Sequence, residues 1–178
     1  MGTYRAPVED MNFLIDEVLD AENALGTLPD FADYGVGSEL TTALLDEAAK
    51  LAGDELAPLR RVGDEQPAVC TDGAVTAPPG YDAALRQLAE GGWIGISSDP
   101  RYGGQGLPEI YNTVGHEMWN GANMALGLAP MLSSGAALAI HAHGTEAQKQ
   151  TYLEKMNTGQ WMGTMNLTES GAGSDLGV

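Results

Sequence analysis

The loop Glu169-Ser-Gly-Ala-Gly-Ser174 has the clearest capacity for chemistry in this sequence. Its two glycines let the backbone approach a ligand closely and turn consecutive N–H groups toward it. Ahead of the loop, Trp161, Gly163, Met165 and Leu167 alternate with Met162, Thr164, Asn166 and Thr168, the period of a half-buried strand. A strand feeding such a loop suits a flat ring system and its phosphates. Other motifs fail on spacing. Gly171-Ala-Gly173-Ser-Asp-Leu176 is not a dinucleotide fingerprint, since Leu176 stands at the third glycine's place, and no P-loop lysine is present. His116-Glu117 lacks the second histidine of a zinc helix, because Asn120 stands four residues on. His141 and His143 lie two apart and do not share a helical face, so no metal site is expected. Cys70 has no histidine beside it to activate a thiol.

Helices must position this segment. Asp10 is expected to cap a first helix with Met11, Leu14, Ile15, Val18 and Leu19 on one face, ended by Gly26 and Pro29, with a short helical turn over 28–34. Ser38 opens a second, with Leu44, Ala48, Leu51 and Ala52 aligned, fading at Pro58. Residues 62–80, with Gly63, Pro67, Gly73, Pro78, Pro79 and Gly80, predict the longest loop. A third helix is expected over 81–90, with Tyr81, Ala84, Leu85 and Leu88 inward and Gly91-Gly92 as its stop. Gly103, Gly104 and Gly106 then mark a tight, non-repeating loop. Two longer helices are expected over 108–121 and 123–142. The second is rich in small residues around 127–137, which serve close packing in the favoured reading and line a pocket in the other. Thr145-Glu-Ala-Gln148 is a capping box that starts a helix to about Asn157, stopped by Gly159.

Composition bounds the function. The chain has 178 residues, 43% hydrophobic and 6% aromatic, enough for one well-buried, mainly helical core. A net charge of −17 disfavours nucleic acid and anionic membranes as partners. One cysteine permits no internal disulfide and fits a reducing, cytoplasmic setting, and no signal peptide is visible. No Asp, Glu, Lys or Arg occurs between Glu117 and Glu146, about the length of a membrane span. Asn120, Asn123, Pro130, Ser133, Ser134, His141 and His143 argue instead for a buried helix, or a pair broken near Pro130.

Pro100-Arg-Tyr-Gly-Gly-Gln-Gly-Leu107 carries a resemblance to a known family, as does the run from Gly144 to Asp175. That run includes Gly144-Thr-Glu-Ala-Gln-Lys-Gln-Thr-Tyr-Leu-Glu-Lys155, Gly159-Gln-Trp161 and Leu167-Thr-Glu-Ser-Gly-Ala-Gly-Ser-Asp175. Together they resemble the flavin-dependent acyl-CoA dehydrogenases, and residues 4–19 resemble the amino-terminal extension of the longer bacterial members. The resemblance implies a mainly α fold: an extension over 1–36, the family's helical amino-terminal domain over 37–158, and the first strand of its middle β-domain over 159–178. It implies FAD, cradled by Met165, Asn166, Leu167, Thr168 and Ser174. Met165 and Leu167 would offer backbone groups to the ring, Thr168 would approach flavin N5, and Ser174 would lie near the pyrophosphate and the CoA of the substrate. Asn166, Ser170 and Arg101 depart from the family's common residues, which leaves the substrate subclass open.

The implied reaction is α,β-desaturation of an acyl-CoA thioester: a base removes the α-proton, flavin N5 takes the β-hydride, and electrons pass to an electron-transferring flavoprotein. The catalytic Glu of the family belongs to a carboxy-terminal bundle, so no catalytic residue is expected in this chain. On this plan the chain is an amino-terminal fragment, inactive and colourless by itself, of an enzyme that is a homo-oligomer at full length. A non-catalytic helical binding or assembly module, and an acyl-CoA oxidase or flavin-dependent monooxygenase of the same fold, are the alternative readings.

Overall fold

The computed structural model describes residues 4–31, 37–175 and 177. Its helices are α1 (Val8–Phe13), α2 (Ala21–Gly26), α3 (Ser38–Leu51), α4 (Ala57–Glu65), α5 (Tyr81–Glu90), α6 (Glu109–His143) and α7 (Glu146–Asn157). A two-stranded antiparallel hairpin, β1 (Val69–Thr71) and β2 (Ala74–Thr76), lies between α4 and α5, with Cys70 opposite Val75. The architecture is therefore mainly α. The main core gathers Met11, Ile15, Leu45, Ala48, Leu56, Leu88, Met118 and Trp119, with Trp93 edge-on to Trp119 at 5.6 Å between ring centroids.

Several elements differ from the sequence expectation for physical reasons. The first helix begins at Val8 behind Pro7, and a π-helical turn over Leu14–Val18 widens it. Of its five aligned apolar residues only Met11 and Ile15 are buried; Leu14, Val18 and Leu19 stay exposed. The turn expected over 28–34 is present to Phe31, whose N–H donates to Leu28 O at 3.0 Å; residues 32–36 lie outside the described residues. In α3 the buried face is Thr41, Leu45 and Ala48, continued by Ala52, with Leu44 and Leu51 partly covered.

The helix does not fade at Pro58. A second π-helical turn, Ala52–Leu56, shifts the hydrogen-bond register, and Pro58 falls in the first turn of α4, where a missing N–H is tolerated. The long loop expected over 62–80 is shortened at its start, where α4 runs to Glu65, and interrupted in its middle by the hairpin that Asp72-Gly73 turn. Both of those residues have positive φ, 52° and 81°, the backbone of a two-residue hairpin loop.

The two helices expected over 108–142 form one element with a break at Asn123 (φ −157°, ψ 87°). Asn123 caps the second half: its Oδ1 accepts from Leu126 N–H at 3.3 Å and from the Tyr81 hydroxyl at 3.3 Å, while its Nδ2 donates to Leu56 O at 3.3 Å. One side chain thus pins α6 to α5 and to the π turn before α4. The break falls here and not at Pro130, which the helix passes intact. By length and composition α6 could cross a membrane. Within the bundle its break is held by the buried, hydrogen-bonded Asn123 amide, and the helix packs against α3, α4 and α7.

Candidate functional site

Two regions carry the candidate chemistry: the segment that follows α7, and a cleft beside the second half of α6. The first begins at α7, whose capping box forms as expected, with Thr145 Oγ1 accepting from Gln148 N–H at 3.3 Å and Gln148 Oε1 accepting from Thr145 N–H at 2.8 Å. Gly159 (φ 71°) reverses the chain where a Cβ would meet Ala89 and Ile94 at 2.7 and 2.8 Å. Trp161 N–H then donates to Lys155 O at 2.9 Å, and Lys155 Nζ sits 4.0 Å above the Trp161 ring.

Gly163 N–H donates to Ser133 Oγ at 3.0 Å, so the segment is fastened to α6. A Cβ on Gly163 would lie 2.9 Å from Met156 Cε and 3.2 Å from Ser133 Cα. The small residues of α6 therefore divide by face. Ser133 and Ala136 admit the backbone of this segment, whereas Ser134 and Gly135 line the cleft.

Past Gly163 the expected half-buried strand does not form a ladder. Both alternating sets are exposed, Met165 at 54% and Leu167 at 57% among them. Among the described residues no neighbouring strand lies beside it, and a strand's alternation buries one face only when a sheet partner or covering layer is present. The loop itself closes on a two-residue bridge, with Glu169 N–H to Ala172 O at 2.9 Å and Ala172 N–H to Glu169 O at 3.3 Å.

Met165, Asn166, Leu167, Thr168 and Ser174 are thus brought together on one exposed segment. The Thr168 and Ser174 hydroxyls make no hydrogen bond among the described residues. A Cβ on Gly171 would meet nothing within 4 Å, and one on Gly173 only Thr168 Cγ2 at 3.9 Å. Free hydroxyls, unpaired backbone N–H groups and open space beside two glycines form a donor set that fits a flavin ring and phosphates.

The cleft, about 450 Å³, opens between the loop 97–99, the first half of α6 at Asn112 and His116, and the second half at Met131, Ser134, Leu138 and His141. Its loop is rigidly built. Arg101 Nη2 pairs with Asp99 Oδ2 at 2.6 Å, Arg101 N–H donates to Asp99 Oδ1 at 2.9 Å, and His141 Nε2 lies 3.2 Å from Asp99 Oδ2. The hydrogen bonds from Arg101 hold the Asp99 carboxyl well below the usual carboxylate range. Arg101 thereby has its partner two residues upstream. Asn157 Nδ2 donates to Tyr102 O at 2.8 Å and the Tyr102 hydroxyl to Glu146 Oε1 at 2.8 Å, tying the loop to α7.

His116 is the residue that motif reading passed over. Failing as a zinc helix, it nonetheless shares a helical face with Glu109 and Asn112, a 3–4 polar spacing that signals a polar wall. Burial pushes its imidazole pKa down, against a smaller opposing pull from Glu109, and its Nδ1 is buried with no hydrogen-bond partner among the described residues. His141 and His143 do not converge: His141 turns to Asp99, and His143 is exposed. Cys70 is an exposed free thiol on the hairpin.

Residues 38–160 match the family profile described as acyl-CoA dehydrogenase, N-terminal domain. Over 98% of the chain, the sequence is 39% identical to a 3-methylmercaptopropionyl-CoA dehydrogenase of Ruegeria pomeroyi. Over its whole length it is 33% identical to a broad-specificity linear acyl-CoA dehydrogenase of Mycobacterium tuberculosis. The chain spans 29% of the length of each of these relatives. A chain of a solved structure, from work on the electron transferring flavoprotein of Acidaminococcus fermentans and flavin-based electron bifurcation, superimposes with a TM-score of 0.62. It is 26% identical, and the match covers 81% of this chain and 35% of that one.

Proposed function

The chain belongs to the acyl-CoA dehydrogenase family, and we propose on that premise that it forms the amino-terminal part of an FAD-dependent enzyme that desaturates an acyl-CoA thioester between its α and β carbons. The proposal divides it into an extension over 1–36, the helical domain over 37–158 and the opening of a β-domain over 159–178. What carries the reading is one observation: the segment 164–174, fastened to α6 through Gly163 and Ser133, presents unpaired hydroxyl and backbone donors beside two uncrowded glycines.

In this reading Met165, Asn166 and Leu167 would hold the flavin ring, Met165 and Leu167 through backbone groups, and the Thr168 hydroxyl would approach N5. A donor there favours the electron-rich form of the ring over the oxidised one. Ser174 and the loop N–H groups serve the pyrophosphate and the CoA end of the substrate. Bound FAD supplies the acceptor for the hydride leaving the β carbon. The α-proton goes to a base outside this chain, so 1–178 by itself is inactive, because C–H cleavage without a positioned base lacks its general-base assistance. The acceptor of the electrons is an electron-transferring flavoprotein, and the whole enzyme is a cytoplasmic homo-oligomer.

The test has two arms. Chain 1–178 mixed with FAD and passed through gel filtration should emerge colourless; flavin absorbance travelling with it would overturn the view that its donors are insufficient alone. A longer protein that carries this chain at its amino end should be yellow, and butyryl-CoA added without air should bleach it. If acyl-CoAs of short, medium and long chain all fail to bleach a flavin-loaded protein, the dehydrogenase reading is wrong. Bleaching followed by rapid recovery in air would move the assignment to an acyl-CoA oxidase.

A further inference from the structure

We propose that the face carrying Phe13, Leu14, Val18 and Leu19 is a docking surface for a partner protein that presents a basic amphipathic helix. Leu19 N–H donates to Leu14 O at 2.9 Å, the five-residue bond that closes the π turn over Leu14–Val18. An ordinary helix aligns side chains three and four apart. A bond spanning five instead brings Val18 into line with Phe13 and Leu19 into line with Leu14. Met11 and Ile15 face the core, while Phe13, Leu14, Val18 and Leu19 stay 58%, 50%, 58% and 56% exposed. Scattered exposed apolar side chains are ordinary, but four gathered on one face mark an interaction site. They form a ridge along a helix, and such a ridge seats in the groove between the side-chain rows of a second helix.

The charge around the ridge selects the kind of helix. From Ala6 to Ala49 the sequence carries no Lys, Arg or His. Exposed Asp10, Glu17 and Asp20 border the ridge, and among the described residues none of them has a cationic partner. A second copy would set these carboxylates against their own kind, and an anionic lipid surface would be repelled as well. Lys and Arg flanking an apolar stripe satisfy the ridge and its rim together. The surface stands independently of the acyl-CoA reading, and its test uses neither flavin nor CoA.

The probe is a fluorescein-labelled peptide of leucine and lysine alone, its leucines at the spacing of one helical face, added to the intact chain at about 0.15 M salt. Its anisotropy should rise saturably, with a dissociation constant of about 1–50 μM. A peptide of the same composition in scrambled order should bind at least about tenfold more weakly. Phe13→Ser combined with Val18→Ser should lose a similar factor. Both side chains are more than half exposed, so the fold should survive, and an unchanged circular dichroism spectrum checks that it does. Glu17→Lys leaves the ridge whole and should weaken the peptide about threefold or more. Val69→Ser with Val75→Ser, at two exposed valines of the hairpin, should change nothing. No saturable binding, equal binding of the scrambled peptide, or undiminished binding in the Phe13 and Val18 variant would each overturn the proposal. Dimerisation of the chain that this variant abolishes would assign the face to a second copy instead, and sedimentation with phosphatidylglycerol vesicles, lost in the same variant, would assign it to a membrane.

Discussion

Residues 38–160 and residues 161–175 are continuous in the chain and follow opposite rules. The first stretch holds a packed core, with Leu45 and Leu153 at 1% exposure and Leu56 and Met118 at 0%, although Met124, Leu128 and Leu138 on α6 stay exposed, and its buried Thr41, Asn123 and Asn157 all have partners. In the second, Trp161, Met162, Met165 and Leu167 are all 40% exposed or more, and the Thr168 and Ser174 hydroxyls are unpaired among the described residues. The difference teaches where each stretch gets its structure. The helical body is specified by its own contacts. Among the described residues the segment after it is held at its start, by Trp161 on Lys155 and Gly163 on Ser133, and on the proposed function its remaining surface and donors are those of a half-built layer.

If the body is self-specified, damage there should be severe. Leu45→Ala removes a side chain from the centre of the main core and should cost about 2–5 kcal/mol, read as a lowered urea midpoint. An unmoved midpoint would break the comparison at once. Asn123→Leu comes next, since it strands the Leu56 carbonyl, the Tyr81 hydroxyl and the Leu126 N–H together. It should cost about 1–3 kcal/mol by the same measurement. Gly104→Ala belongs in a similar range, about 1–3 kcal/mol, because its new methyl would run into the Ser98 carbonyl, a backbone group that cannot swing aside.

The same contrast explains what was legible in the sequence. The capping box at Thr145–Gln148, the span of α5 and the two halves of α6 were readable because caps, glycine stops and helical period are local. Pro58 misled because the π turn that rescues it leaves no residue signature of its own. The hairpin at 69–76 did leave one, Asp72-Gly73 between short β-forming runs, and it was outweighed by the surrounding prolines and glycines. Alternation over 161–168 states which side chains would face a partner, but not whether the partner exists in the same chain. For the site, the family resemblance singled out the donors at 165–174, while His116 escaped because histidine was weighed as a metal ligand and not as a lone imidazole in a cleft.

His116 gives a subtler way to sharpen the comparison. Its folded-state pKa lies below the unfolded value, so the unfolded chain binds the extra proton more readily. Stability contributed by the neutral ring is present above about pH 6.5, the unfolded value, and is lost as pH falls below it. Wild type should therefore lose more stability than His116→Phe between pH 7 and the pH region just below the histidine range, a difference that cancels the titration shared by both. Parallel profiles would show that the imidazole is not held in the body as the structure describes.

The smallest effect is the most telling. Met165→Ala and Leu167→Ala truncate side chains that are 54% and 57% exposed, and each should move the stability of chain 1–178 by no more than about 0.5 kcal/mol. Identical chemistry at Leu45 is predicted to cost several times that, so the pair isolates burial from residue type. Should Leu167→Ala destabilise the chain as a core substitution does, the segment packs on the body in solution and the half-built layer is an error. If both variants are silent in the chain yet weaken flavin retention in a longer protein that carries it, these residues acquire their role only when the rest of the layer is supplied, as the proposed function expects.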